Sequence, residues 1–146
     1  MTIIVYDRAA RQIAADRLLT DNGASFEVTK LHRIAADGGS YIVGVAGDIC
    51  AVGEFLAYIR GDIKELPLSA SGEHAMQAIV VDANTGAAVV YDGSQHPIPL
   101  DSWGAAGASE PQFAAQVLHR MGMTPEQIVK AVSQESGYRG CDVLTF

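Results

Sequence analysis

The side chains able to ligate a metal or attack a carbonyl are few and scattered in this chain. The two cysteines, Cys50 and Cys141, and the four histidines, His32, His74, His96 and His119, fall at no spacing that would gather a ligand set round one ion, so no metal and no cofactor are expected. The remaining candidates each have an ordinary structural reading. Thr2 is a β-branched residue at the head of a strand-like run, Asp16 and Lys30 are charged residues of the kind that strands leave solvated, and Gly47 suits a tight turn before a helix. Ser109 stands where a helix cap belongs. Any chemistry must therefore come from the elements that bring such residues together.

Those elements belong to a chain of 146 residues, the length of one ordinary domain, and residues 1–146 are expected to fold as one. Hydrophobic residues make up 49% and charged residues 18%, which excludes a disordered chain, and no apolar run approaches the roughly 20 residues of a membrane helix. A net charge of -7 with only ten scattered Lys and Arg argues against nucleic acid as a partner. Met1-Thr2-Ile3-Ile4-Val5-Tyr6 enters a strand at once and lacks the regions of a signal peptide, so a cytoplasmic location with both cysteines reduced is expected.

The patterning predicts a first β-hairpin from residues 3–6 and 13–15, a turn at Asn22-Gly23, and strand material through Phe26, Val28 and Leu31 up to the turn at 36–39. Residues 41–46 are continuously apolar, as in a strand covered on both faces. From Asp48 the period becomes helical through Ile49, Val52, Leu56 and Ile59, with Asp48 as cap and Gly61 as stop, and a loop with Pro67, Ser69, Ser71 and Gly72 follows. Residues 78–81 and 88–91 flank a turn ending in Gly86, a second hairpin. Ser109 with Gln112, and Thr124 with Gln127, read as capping boxes of two helices, the first ended by Gly122 and the second with Pro125 at its first position; residues 143–146 close the chain as a strand. Strands and helices in separate runs give an α+β layered fold.

Three blocks in order, Ala14-Ala15-Asp16-Arg17, Lys30-Leu31-His32-Arg33-Ile34 and Gly44-Val45-Ala46-Gly47, follow an opening Thr2-Ile3-Ile4-Val5 strand. In these the chain resembles the proteasome β subunit and HslV peptidase family of the N-terminal-nucleophile hydrolases. Ala108-Ser109 ahead of Phe113-Ala114, and Tyr138-Arg139-Gly140-Cys141, are weaker counterparts of the family's later Gly-Ser-Gly and Tyr-x-Gly-Gly motifs. The resemblance implies a four-layer αββα sandwich. Only one short helix separates Gly47 from the second hairpin, where the family has a longer pair, so one helical layer is expected to be thinned.

The resemblance also implies a mechanism. The Thr2 hydroxyl would be the nucleophile and its own α-amine the base, since such an amine has a pKa near 8; this requires removal of Met1. Lys30 would place a positive charge beside the nucleophile, Asp16 would orient the lysine, and Gly47 would donate its N–H to the oxyanion. Ser109 would polarise the amine or only cap its helix. The substrate would be a peptide or small amide, and the assembly a homo-oligomer without an implied double ring; an ATPase partner is left open.

The sequence also departs from the family. Met1 itself can align with the family's nucleophile, which would leave a thioether in place of the hydroxyl and a dead site. The family's supporting Asp and Ser fall on Ser136 and Arg139, with Glu135 as a substitute. Alternatives to a threonine-type peptidase are therefore a catalytically silent homologue serving as a ring-forming or scaffold protein, and an acylase acting on a small amide.

Overall fold

The computed structural model describes residues 2–21, 23–68, 76–94, 96–133 and 140–146. Met1, Asn22, the loop residues Ser69, Ser71 and Gly72, His74, and the C-terminal candidates Glu135, Ser136, Tyr138 and Arg139 lie outside the described residues.

The hairpin expected at the start is β1 (Ile3–Asp7) with β2 (Gln12–Asp16), and every residue of β1 is buried. A short hairpin of β3 (Leu18–Asp21) and β4 (Ala24–Glu27) follows as its own two-stranded sheet, then β5 (Leu31–Ala36) and β6 (Gly39–Ala46). Residues 26–31 are thus not one strand: the chain leaves strand geometry at 28–30, between the exposed β4 and the half-buried β5. A 3-10 turn (Ile49–Ala51) precedes α1 (Val52–Arg60). Asp48 caps that turn, accepting from the Cys50 N–H at 2.9 Å, and Gly61 ends the helix in the left-handed region at φ 91°.

After β7 (Gln77–Asp82) and β8 (Ala88–Tyr91) come two strands that the sequence pattern did not suggest, β9 (Ile98–Leu100) and β10 (Trp103–Gly107). The second helical run is α2 (Ser109–Arg120) and α3 (Pro125–Ser133), and β11 (Cys141–Thr145) closes the chain. The capping box at α3 is present, with the Thr124 N–H donating to Gln127 Oε1 at 2.9 Å and the Gln127 N–H to Thr124 Oγ1 at 3.4 Å. The box expected at α2 is not: Ala108 occupies the cap in extended geometry with no side-chain cap, and Gln112 is engaged elsewhere.

The strands form a four-stranded sheet ordered β10-β1-β2-β11 and a five-stranded sheet ordered β5-β6-β7-β8-β9. Ile4, Tyr6 and Ile13 of the first interdigitate with Ile42, Ile79 and Val81 of the second, all fully buried, so the sheets face each other across an apolar floor. The opposite face of the first sheet, with Ile3, Val5 and Ala14, takes Ala115, Ile128 and Val129 of α2 and α3. The outer face of the second takes α1, whose Phe55 packs edge-on to Tyr91 at 5.1 Å between centroids. The layers run helix, sheet, sheet, helix, and among the described residues α1 is the one α-helix on its side. No helix among them is long and apolar enough to cross a membrane.

Candidate active site

The register of β1 and β2, with Ile4 opposite Ala15, brings the head of β1 beside the end of β2. There the Asp16 carboxylate, 2% exposed, accepts from two backbone donors: Oδ1 from the Ile3 N–H at 2.7 Å and Oδ2 from the Leu18 N–H at 3.1 Å. Its position is thereby fixed at the chain start. A buried carboxylate also needs a cation, and Lys30 supplies it from the segment between β4 and β5.

Lys30 Nζ lies 2.8 Å from Asp16 Oδ2, 2.7 Å from the Leu18 carbonyl oxygen and 2.9 Å from Thr2 Oγ1. An ammonium has three hydrogens and no lone pair, so these acceptors use all of it, whereas a neutral amine would leave one oxygen without a donor. Burial pulls the lysine below its usual pKa, while the hydrogen bond and the charge of Asp16 act in the opposite direction. The Thr2 hydroxyl, accepting from Lys30, keeps its own proton free to be given elsewhere.

Gly47 follows the end of β6 at φ +112°, and a Cβ there would lie 3.1 Å from Met76 Cα, so both conformation and space select glycine. Thr2 and Gly47 line two adjoining clefts. One, closed by Leu19, Val28, His32, Val45 and Val52, is narrow and largely apolar; burial lowers the pKa of its His32 while the charge of Asp142 opposes that shift. The other is bordered by Ala46, Gln77, Gly107 and Ala108.

Of the residues singled out from sequence, Thr2, Asp16 and Lys30 are in contact and Gly47 borders the same clefts. Ser109 does not join them. It is exposed and opens onto a groove with Trp103, Ala105 and Gln116, directly after the extended Ala108. Neither its cap role nor contact with Thr2 is present. What adjoins Thr2 from this side is backbone, the Ala108 N–H donating to the Thr2 carbonyl at 3.1 Å. Gln77 and Gly107 were not suggested by the sequence; a polar residue directly before the apolar run 78–81 was the one available sign of Gln77. Among the described residues no group of three or more His, Cys, Asp or Glu could hold a metal ion.

No family model and no curated protein sequence matches the chain. Solved structures do. Eukaryotic HslV from Trypanosoma brucei superposes with a TM-score of 0.66 at 18% identity, covering 99% of both chains. BPH from Thiobacillus denitrificans superposes with a TM-score of 0.66 at 13% identity, and its complex with epoxomicin with 0.62 at 14%, each covering 99% of this chain and 98% of the other. The chain therefore has the fold of the HslV and proteasome-type N-terminal-nucleophile hydrolases.

Proposed function

We propose that this protein is a threonine-type N-terminal-nucleophile hydrolase, acting on a peptide or small amide, with residues 1–146 working as one domain in the cytoplasm. The observation that carries the reading is the Lys30 ammonium, held by Asp16 and donating to the Thr2 hydroxyl at 2.9 Å. In ordinary solvated positions these three side chains would have no reason to converge at the start of the chain.

With Met1 removed, the Thr2 hydroxyl gives its proton to its own α-amine as Oγ1 bonds to the scissile carbonyl carbon. The fixed charge of Lys30 lowers the cost of negative charge on Oγ1 and disfavours protonation of the neighbouring amine. The Gly47 N–H takes the tetrahedral oxyanion. The C–N bond then breaks, the leaving amine takes the proton from the α-ammonium, and an ester on Thr2 remains. Water, deprotonated by the same amine, hydrolyses it and restores the hydroxyl.

Epoxomicin, carried in one of the BPH structures, is the probe. Intact mass of the purified protein should show loss of Met1, and treatment should add one inhibitor mass at Thr2 and none in Thr2→Ala. Retained Met1 with no adduct sinks the hydrolase reading in favour of a silent homologue, since a Thr2 nitrogen in a peptide bond is no base. We also propose that the protein is a homo-oligomer. The support is the stripe of Phe113, 70% exposed, and Val117, 43%, on α2 with Met121, 72%, at its C-terminal cap, a helix face that packs into none of the apolar clusters among the described residues.

A further inference from the structure

We propose that Gln77 is a positioning residue that sets the spacing between the Thr2 hydroxyl and the Gly47 amide; this rests on the roles assigned to those two residues above. Thr2 lies beyond the end of the β1–β10 ladder, whose last pair is Ile3 with Gly107. Its backbone is held from that side by the Ala108 N–H, at 3.1 Å from the Thr2 carbonyl oxygen. Gly107 stands so close that a Cβ on it would fall 2.0 Å from the same oxygen, and its φ of +128° aims the following peptide at Thr2. Any movement of the Gly107 peptide therefore reaches the nucleophile.

Two glutamines hold that peptide. Gln77 Oε1 accepts from the Gly107 N–H at 2.7 Å, and Gln112 Nε2 donates to the Gly107 carbonyl at 2.6 Å and to Gln77 Oε1 at 3.3 Å. The ring of hydrogen bonds closes round one residue. Gln112 comes from α2, on the Thr2 side of the molecule, but Gln77 comes from the facing sheet, where its backbone pairs with Ala46, the neighbour of Gly47. The residue before it, Met76, is the one Gly47 packs against. One residue thus has its main chain fixed to the oxyanion donor's strand end and its side chain fixed to the corner that grips the nucleophile. A sheet cross-link for stability alone could sit anywhere along the sandwich, as the Tyr6 hydroxyl does in donating to the Gly86 carbonyl at 2.5 Å. The Gln77 link joins the two reacting positions.

The test compares Gln77→Leu, which removes the acceptor, with Gln77→Glu, which keeps an oxygen for both donors. In protein with Thr2 at its terminus, Gln77→Leu should lower kcat and the epoxomicin labelling rate about 10- to 100-fold with little change in KM, the size of effect expected of a small misplacement of reacting groups. Gln77→Glu should restore most of the rate and move the acid limb of the pH profile upward, because a carboxylate near the amine raises its pKa. Amide hydrogen exchange at Ala108, which reads the grip on Thr2 directly, should accelerate at least about tenfold in Gln77→Leu and stay near wild type in Gln77→Glu. Unchanged Ala108 exchange in Gln77→Leu overturns the proposal whatever the activity. Faster exchange with wild-type kcat and labelling also overturns it, leaving a structural cross-link only. A wild-type protein that lacks Met1 yet neither labels nor hydrolyses overturns the nucleophile reading and the proposal's kinetic role with it, while the exchange data then report the cross-link alone.

Discussion

Replacing Lys30 with methionine keeps most of the side chain's length and apolar stem and removes the ammonium. Three charge-assisted hydrogen bonds of 2.7 to 2.9 Å go with it, and Asp16, 2% exposed, is left as a buried carboxylate without its cation. Removing one member of a buried pair costs about 3–5 kcal/mol. Asp16 retains the Ile3 and Leu18 N–H donors, which places Lys30→Met at the low end, about 3 kcal/mol. Asp16→Asn leaves the ammonium, 6% exposed, with only neutral acceptors, and gives one carbonyl oxygen to two backbone donors, so a loss of similar size or larger is expected. In the double variant neither charge is stranded. Its cost should fall short of the sum by at least about 2 kcal/mol, a coupling well outside the roughly 0.5 kcal/mol scatter of independent sites. Urea unfolding of the wild type and the three variants at pH 7 measures the cycle. Additivity within that scatter would falsify the claim that the pair acts as one buried unit, and with it the argument that Lys30 is held as an ammonium against Thr2. In protein that labels with epoxomicin, Lys30→Met should also slow labelling about 10²- to 10³-fold, the usual loss for one preorganised electrostatic contact.

Four further outcomes are expected. Burial, reinforced by Tyr58, raises the Tyr91 phenol from 10.0 to about 12, so the folded state holds a proton that the unfolded chain releases; this group costs almost nothing below pH 10 and about 2.3 kcal/mol at pH 12, and denaturant unfolding across that range should show a smaller loss in Tyr91→Phe. The Cys141 thiol, raised by burial from 9.0 to about 11, gives a loss of the same sign starting near pH 9 that Tyr91→Phe keeps. Gly107→Ala drives a Cβ to 2.0 Å from the Thr2 carbonyl at φ +128° and should lose more than about 3 kcal/mol in urea, whereas Gly23→Ala, at φ +81° with nothing within 4 Å of the new Cβ, should lose only about 1–2 kcal/mol. Phe113→Glu with Met121→Glu should lower the molar mass in solution measured by light scattering, and an unchanged mass would move the self-contact away from α2.

The fold was legible where local pattern and burial agree. The β1–β2 and β7–β8 hairpins, the apolar run 41–46 of β6 and the Gly61 stop are each written in a few consecutive residues. β9 and β10 were not, and for a physical reason. β9 is Ile98-Pro99-Leu100, with a proline that only an edge strand accepts, and it is the edge of its sheet. β10 carries Gly104, Ala105, Ala106 and Gly107 where strands usually show β-branched residues, because neighbours press on it: a Cβ on Gly104 would lie 2.6 Å from Leu100 Cδ1, and one on Gly107 would strike the Thr2 carbonyl. Small residues chosen for close approach look like loop from the sequence.

The same distinction separates the parts of the site. Asp16 and Lys30 stood out because their neighbours, Ala14-Ala15 and Leu31-His32-Arg33-Ile34, form blocks that resemble a known family, whereas Ser109 stood out only by its place before a helix, and its side chain faces the groove beside Trp103. Capping statistics describe which residue can end a helix, not which one a tertiary contact requires there. At the start of α2 that contact is the Ala108 N–H on Thr2, a backbone group that any residue but proline supplies, so nothing in the residue type advertises it. Gln112 is hidden in the same way: at the helix start it reads as half of a capping box, yet its amide serves Gly107 and Gln77 instead. Side chains that meet each other across the sandwich leave a trace in sequence only when both are unusual for their element. Those that serve a backbone peptide leave none, and the grip on Thr2 is built almost entirely of the second kind.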